Sequence, residues 1–170
     1  MPSFSTQSLK KLKTCNPHIQ KVMMEAIRIV DFTIVSGLRL KDEQMGLYEK
    51  GRLFVKGKYK ITDKSKIVTH TNFPDSRHNQ SIIFDDFDMS DGIDITPYPR
   101  PENFWEKVEN LDEYILRQFI FMSGVIMAIA NKHNIKLTWG GDWKSLQRWD
   151  FKGRKAAGEF IDLPHYQEDK

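Results

Sequence analysis

The chain has 170 residues, enough for one domain with a sizeable core, and its 39% hydrophobic and 29% charged residues exclude a disordered or fibrous protein. Its net charge of +3 is too small to predict nucleic-acid binding by itself. One cysteine, Cys15, excludes an internal disulfide and a paired-cysteine metal site. The N-terminal residues lack a signal-peptide pattern, and the longest uncharged run, 118–130, is too short to span a bilayer. We therefore expect one monomeric domain over residues 1–170, without membrane insertion.

The sequence of the N-terminal half predicts short helices and strands. Their ranges are helices over 8–13, 17–27 and 42–51, strands over 31–35 and 67–69, and a loop or weak hairpin over 56–66. Asn16 followed by Pro17 is a typical helix start. After the first strand, Ser36-Gly37 breaks the pattern and presents Arg39, and Asp42 caps the third helix.

One long amphipathic helix dominates the C-terminal half. From about Asp112 to Lys132, apolar residues recur at helical spacing, which predicts the buried central helix. The other predicted elements are an exposed acidic loop over 79–90, a strand over 92–95, a short helix that includes Phe104, Trp105 and Val108, and strands over 136–139 and 160–161.

Two imidazoles and two carboxylates stand out in these elements. His78 precedes the acidic loop and Asp94 lies in the strand after it, while His165 follows Asp162 by three residues. Two histidines and one aspartate form a three-ligand set for Zn²⁺ and leave a fourth position for water, whose pKa the metal lowers. Asp162 can then accept the proton of that water. The sequence therefore predicts a zinc hydrolase, with Asp91 as a less favoured alternative to Asp94, whose orientation a strand fixes.

Five motifs occur in the order of a known family. They are Ser36-Gly37-Leu38-Arg39 with Gln44, Ser76-x-His78, Gly92-x-Asp94, Trp139-Gly140-Gly141-Asp142-Trp143 and Asp162-x-Pro164-His165. Over about residues 9–166 the chain resembles the zinc D-alanyl-D-alanine carboxypeptidases, and most of all their L-alanyl-D-glutamate endopeptidase branch, which includes phage endolysins. The resemblance implies a small α+β fold, in which helices flank an antiparallel sheet, as in the hedgehog signalling domain.

The resemblance also implies site roles. It makes His78, Asp94 and His165 the zinc ligands and Asp162 the catalytic base. Arg39 would hold the carbonyl oxygen as it becomes an oxyanion, although a simple surface cation is the alternative. The implied substrate is the stem peptide of peptidoglycan, and a mildly basic protein suits an anionic wall. The chain departs from the family pattern in the 16 residues from His78 to Asp94, a longer spacing than the family's tight turn.

Five further motif residues are candidates for substrate contact. They are Gln44, Ser76, Trp139, Asp142 and Trp143. Each tryptophan is equally well explained as core or as a groove wall. Asp142 could also orient a ligand imidazole, or merely pair with a lysine. The span 144–160 is long and basic, and could form part of the substrate groove.

The acidic loop offers a second, weaker metal hypothesis. Asp85-Asp86-x-Asp88-x-Ser90 places oxygens at alternate positions, as in half of a calcium loop, but lacks the glycine and the closing glutamate of an EF-hand. A solvated acidic surface is the alternative. We hypothesise that Ca²⁺ orders this loop and activates the protein without replacing zinc.

Four functions compete. The favoured one is an L-alanyl-D-glutamate endopeptidase that acts as a phage endolysin, held in the host cytoplasm until lysis. A D-alanyl-D-alanine carboxypeptidase, or a non-catalytic zinc-containing module that binds the wall, is the alternative, and Asp162 favours an enzyme because a binder has no need of it. A nucleic-acid binder is disfavoured, because no helix carries clustered Lys and Arg and no stacking motif is present.

Overall fold

Helices and short strands alternate along the chain in a computed structural model, which describes residues 1–102, 104, 108 and 110–170. The helices are α1 (Thr6–Leu12), α2 (Pro17–Ala26), α3 (Lys41–Tyr48), α4 (Glu113–Lys132) and α5 (Phe151–Ala156). The strands are β1 (Phe32–Ser36), β2 (Arg52–Val55), β3 (Lys58–Ile61), β4 (Gly92–Pro97), β5 (Leu137–Trp139) and β6 (His165–Glu168).

The main sheet has four antiparallel strands in the order β1-β4-β6-β5, and β2 pairs with β3 in a separate hairpin. Every residue of β4 is buried, which places this strand at the centre of the protein. The predicted α+β class with a small antiparallel sheet and flanking helices is confirmed.

Helix α4 packs against α2 and the sheet. Asp112 caps it by accepting a hydrogen bond from the Ile115 N–H (2.8 Å), and Phe119, Met122 and Ile126 on its inner stripe are fully buried. The predicted central helix is therefore confirmed. The helix has 20 residues and contains an 18-residue stretch of mean hydropathy 1.4, which is the length and composition of a membrane span, although 44% of that stretch is buried inside the protein. The expected absence of membrane insertion thus stays a prediction.

Some predicted elements differ from the structure. Helix α3 begins after Leu40 without a side-chain cap, so Asp42 lies in its first turn, where a carboxylate favours the helix dipole. Residues 67–69 and 160–161 form no strand. The apolar pair Phe160-Ile161 imitates a strand, but Phe160 stays half exposed and stacks on Trp143.

Two segments of the C-terminal half were not anticipated as elements. The strand after Asp162 is β6, and α5 lies within the long basic span. Helix α5 begins at Asp150, whose side chain accepts from the Gly153 N–H (3.0 Å). Of the short helix predicted to include Phe104, Trp105 and Val108, the structure describes only Phe104 and Val108, both buried, and the residues between them lie outside the described part.

Candidate metal centre

Three buried side chains converge at the middle of the sheet. Asp94 of β4 and His165 of β6 are directly paired residues, so their side chains project from the same face of the sheet. His78 reaches them from the loop before β4, with its Nε2 lying 3.1 Å from both Asp94 Oδ1 and His165 Nδ1. His165 Nδ1 and Asp94 Oδ1 are 3.0 Å apart. These three atoms form a group that could hold a metal ion.

The ring of His78 is held by the backbone of the Ser36–Arg39 turn. Its Nδ1 lies 2.8 Å from Gly37 O, so the Nδ1–H donates to that carbonyl and leaves Nε2 as the free ligand atom. A Cβ at Gly37 would lie 2.4 Å from Thr14 Oγ1 and 2.6 Å from Lys11 O. Only glycine therefore allows this carbonyl to sit against α1 and still face His78.

The ring of His165 is held by a residue that sequence reasoning missed. Its Nε2 lies 3.3 Å from Gln167 Oε1, while Nδ1 faces the cluster. Gln167 is two residues further along the same strand, so both side chains lie on one face of β6. The spacing would have indicated this partner had residues 165–168 been recognised as a strand.

Arg39 binds the second oxygen of the central carboxylate. A β-bulge between Ile34 and Ser36 sets Ser36 opposite Asp94, and the chain then turns back so that Arg39 Nη2 donates to Asp94 Oδ2. Arg39 Nε donates to Ser36 Oγ (3.0 Å) and its backbone N–H to His78 O (2.6 Å). Within the described part of the chain, Nη1 makes no hydrogen bond.

Neighbouring charges decide which groups of the cluster are ionised. Burial acts to raise the pKa of the Asp94 carboxyl, but the two histidines and Arg39 outweigh burial and hold that pKa well below its usual range. Burial lowers the pKa of His78, and the charge of Arg39 adds to this effect. Burial also acts to lower the pKa of His165, but Asp94 and Asp162 outweigh it and raise that pKa. Asp94 is therefore an anion stabilised by Arg39 and His165, whereas burial favours the neutral form of His78.

Asp162 approaches this cluster from the turn before β6. Its N–H donates to Gly140 O (3.0 Å), and a Cβ at Gly140 would lie only 2.3 Å from Asp162 O, so the approach requires glycine. Burial raises the pKa of its carboxyl to about 6, His165 and Arg39 act to lower it, and Asp94 acts to raise it. The described residues provide no hydrogen bond to this carboxylate. It is thus a proton acceptor of raised basicity beside the cluster.

Asp91 does not join the cluster. Its carboxylate accepts hydrogen bonds from Asn16 Nδ2 (2.7 Å), Ser81 Oγ (2.8 Å) and the Ile83 N–H (3.1 Å). The side chain is fully buried and ties α2 to the two ends of the acidic loop. Of the two candidate aspartates, Asp94 is the one placed with the histidines.

The acidic loop is less exposed at its ends than predicted. Ser81 and Ser90 are fully buried, and Ser90 Oγ donates to Gly92 O (2.8 Å) rather than facing the loop carboxylates. Asp86 Oδ1 accepts from the Asp88 N–H (2.8 Å), which closes a local turn. Among the described residues these oxygens form no group suited to a metal, so calcium binding stays a prediction.

The two candidate tryptophans have different environments. Trp139 is core: it is buried, its Nε1 donates to Leu163 O (2.7 Å) and its ring stacks on Tyr166. Trp143 lies at the site, with its ring centroid 5.5 Å from that of His165, and its buried Nε1 has no hydrogen-bond partner within the described part of the chain. Of the two tryptophans, Trp143 is therefore the one that fits a groove wall.

The side chains of three other candidate residues form hydrogen bonds with the protein backbone. Asp142 does not orient an imidazole as considered, because its carboxylate accepts from the backbone N–H groups of residues 146 (3.1 Å) and 147 (2.7 Å). Gln44 is fully buried and donates to Thr71 O (2.6 Å), so it holds the loop before His78 instead of facing a ligand. Ser76 Oγ accepts from the His78 N–H (3.3 Å).

A cleft opens beside Arg39. Its lining comes from α3, the loop before His78 and the acidic loop: Arg39, Leu40, Lys41, Asp42, Phe73, Asn79, Phe87 and Asp88. Asn79 is 2% exposed; its Nδ2 donates to Arg39 O (2.9 Å), and its buried Oδ1 has no partner among the described residues. The cleft therefore offers two cations, two carboxylates and apolar walls beside Arg39, which binds Asp94 of the cluster.

Comparison with known proteins gives a family and a fold. The family described as phage L-alanyl-D-glutamate peptidase matches residues 2–167. The solved structure of the Serratia marcescens L-Ala D-Glu endopeptidase ChiX is 18% identical, covers 98% of this chain and 89% of its own, and superposes with a TM-score of 0.55. At that identity the likeness shows the fold. No curated protein sequence matches the chain significantly.

The raised pKa of Asp162 predicts a pH-dependent stability cost in the metal-free protein. A folded-state pKa of about 6 lies above the ordinary value of 3.8, so folding favours the protonated carboxyl. The cost is absent below pH 3.8, grows up to about pH 6 and is complete above it. We expect Asp162→Asn to raise the free energy of unfolding of metal-free protein by about 1–3 kcal/mol at pH 7.5 and by almost nothing at pH 3.5.

Urea unfolding at both pH values measures this difference, with Asp88→Asn as the control at an exposed aspartate. An equal gain at both pH values would contradict an origin in ionisation.

Proposed function

The chain belongs to the phage L-alanyl-D-glutamate peptidase family, and we propose that its single domain uses bound zinc to hydrolyse the L-alanyl-D-glutamate amide bond of the peptidoglycan stem peptide. The observation that carries the proposal is the buried His78–Asp94–His165 group with Asp162 beside it. Three ligands, a separate base and an open cleft are the parts that a metal-assisted hydrolase needs.

The three-ligand group fits zinc. Two imidazole nitrogens and one carboxylate oxygen are a common donor set for this ion, and their separations of 3.0–3.1 Å resemble the edge of about 3.3 Å in a tetrahedron with bonds of about 2.0 Å. Gly37 and Gln167 fix the other nitrogen of each imidazole, as partners of ligand histidines usually do. Zinc supplies a Lewis acid that polarises the scissile carbonyl and acidifies water.

Asp162 is proposed as the general base. Its carboxylate accepts one proton from the attacking water as the water oxygen bonds to the carbonyl carbon, and then gives that proton to the leaving amine as the C–N bond breaks. In the metal-free protein burial raises the pKa of this carboxyl to about 6, so it is a stronger proton acceptor than an exposed aspartate, which suits both halves of this transfer. The absence of a competing hydrogen bond, within the described residues, leaves its oxygens available.

Arg39 is proposed to stabilise the oxyanion while it holds Asp94. Nη2 and Nε are occupied by Asp94 and Ser36, so the guanidinium is fixed in place before a substrate arrives. The fixed cation then has Nη1 left to donate to the developing charge. Preorganisation of this kind favours the transition state over the bound substrate.

The cleft beside Arg39 is proposed to hold the stem peptide. Lys41 can pair with a substrate carboxylate, while the buried Asn79 amide holds the Arg39 backbone at the wall of the cleft. Phe73 and Phe87 provide apolar walls. Trp143 bounds the site on the side of His165.

The alternatives differ in the bond that is cut. Family membership favours the L-alanyl-D-glutamate bond over a D-alanyl-D-alanine bond. A non-catalytic wall-binding module would not need to keep Asp162 as a half-buried carboxylate without a hydrogen bond in the described structure. We further propose that the protein is a monomeric endolysin, made in the host cytoplasm, that neither inserts into a membrane nor binds nucleic acid. Calcium activation through Asp86 and Asp88 is part of the same proposal.

Digestion of purified peptidoglycan tests the function directly. We expect mass spectrometry to find new carboxyl termini on L-alanine and new amino termini on D-glutamate. Release of terminal D-alanine would instead identify a carboxypeptidase, and sedimentation with the wall without new termini would identify a binding module.

Removal of one imidazole should remove the metal. His78→Ala leaves two ligands, so we expect zinc content well below one per chain and loss of wall hydrolysis. His133→Ala is the matched control, because that ring is bonded to Glu25 (2.6 Å) at the end of α4 and is not part of the cluster. Metal analysis after dialysis decides the matter: full zinc in His78→Ala would refute the assignment.

Replacement of the base should separate metal binding from catalysis. Asp162→Asn preserves shape and removes the proton acceptor, so we expect normal zinc content with a turnover rate lower by about 10²–10⁴-fold. Steady-state hydrolysis of a soluble stem peptide measures the rate. Near-normal turnover would exclude Asp162 as the base.

The geometry of the guanidinium should matter more than its charge. Arg39→Lys keeps a cation but loses the planar fork, so we expect kcat to fall while KM changes little. Arg28→Lys, at an exposed position, is the control. An effect on KM alone would reassign Arg39 to ground-state binding, and loss of zinc would reassign it to support of Asp94.

A further inference from the structure

The positive charge of the protein is concentrated in one segment. Residues 50–66 contain seven Lys and Arg and one acidic residue, a net charge of +6, whereas the whole chain carries +3. The remainder is therefore net negative by three charges. The single acid, Asp63, lies 3.2 Å from Lys66, so this segment holds no free anion that could offset its lysines.

The segment is a defined hairpin, not a loose tail. Strands β2 and β3 pair Leu53 with Lys60 and Val55 with Lys58. The turn between them has positive φ at Lys56 (51°) and Gly57 (79°), as a two-residue type I′ turn requires. The lysines therefore stand at fixed positions on the strands and at the tip.

Aromatic contacts fix the hairpin on α3. The Tyr59 ring lies 5.3 Å from Tyr48 and 4.9 Å from Phe54, and its hydroxyl donates to Glu49 (2.7 Å). Arg52 lies over the Tyr48 ring at 4.1 Å and donates to Thr69 O (3.0 Å). The hairpin is thus held at the end of α3 away from Arg39.

Large apolar side chains lie exposed among the lysines. Leu53 is 58% exposed, Phe54 60% and Ile61 53%. Leu53 and its cross-strand partner Lys60 lie on one face, beside Val55 and Lys58. A purely polar polyanion would satisfy the lysines but would leave these apolar groups in water, whereas a lipid interface accommodates both.

We propose that this basic hairpin, residues 50–66, docks the protein on the surface of an anionic phospholipid bilayer. Lys58 and Lys60 pair with lipid phosphates while Leu53, on the same face of the hairpin, enters the headgroup region. This contact is peripheral and involves no membrane-spanning segment. It does not depend on the proposed peptidase activity, since none of the cluster residues lies in the hairpin.

Sedimentation of the full-length protein with vesicles tests the proposal. We expect binding to vesicles of phosphatidylglycerol and phosphatidylethanolamine, little binding to phosphatidylcholine, and release near 1 M salt, where the screening length falls to about 3 Å. Lys58→Glu with Lys60→Glu should lower the partition coefficient by at least about tenfold. Leu53→Ser, which changes no charge, should lower it severalfold.

Matched variants keep the test specific. Lys10→Glu with Lys13→Glu makes the same charge change at exposed positions on and just after α1, and should retain binding. Lys56→Asn removes one charge at a turn position that Asn tolerates, so it reports on the hairpin even where the double variant folds poorly. Far-ultraviolet circular dichroism, with a thermal unfolding midpoint, checks that each variant is folded.

Three outcomes would overturn the proposal. Equal binding to phosphatidylcholine would exclude an electrostatic contact. Equal losses in the hairpin and α1 variants would attribute binding to net charge. Salt-sensitive binding that Leu53→Ser leaves unchanged, with equal affinity for soluble polyphosphate, would identify a polyanion site in place of a bilayer site.

Discussion

The cross-strand pairing of Asp94 with His165 is the constraint on which the site depends. Directly opposed residues of an antiparallel pair share one face of the sheet, so the register of β4 and β6 alone brings a carboxylate and an imidazole together. A slip of one residue would send one of them to the opposite face. His78 and Arg39 then complete the arrangement by binding the two oxygens of Asp94.

That arrangement puts charge where hydrophobic packing would be more stable. Asp94 lies in a strand that is buried throughout, and it is tolerated because two histidines and Arg39 compensate it. Asp162 has no such compensation by hydrogen bonds within the described chain, and its raised pKa records that cost. Stability is thus given up at the residue that we propose as the general base, a common trade-off at catalytic sites.

The sequence predicted the chemistry better than the local geometry. Motif order predicted that His78, Asp94 and His165 lie together, and apolar spacing predicted the long helix, because donor types and apolar spacing are visible in the residues themselves. It did not identify β6 or Gln167, since Phe160-Ile161 imitates a strand while the real strand is the polar His165–Glu168. Nor could it distinguish Trp139 from Trp143: both flank the same Gly-Gly pair, and only packing shows which faces His165.

Hydrogen bonds around Asp91 fix both ends of the acidic loop, so the length of this loop does not determine the positions of His78 and Asp94. Asn16, Ser81 and Ser90 close the base of the loop, so the chain leaves and rejoins the scaffold at fixed points. Residues can be gained or lost between those points without displacement of His78 or Asp94. The number of residues between His78 and Asp94 can therefore change in evolution. A search pattern with a fixed interval would overlook relatives with another loop length, whereas a comparison of strand register would find them.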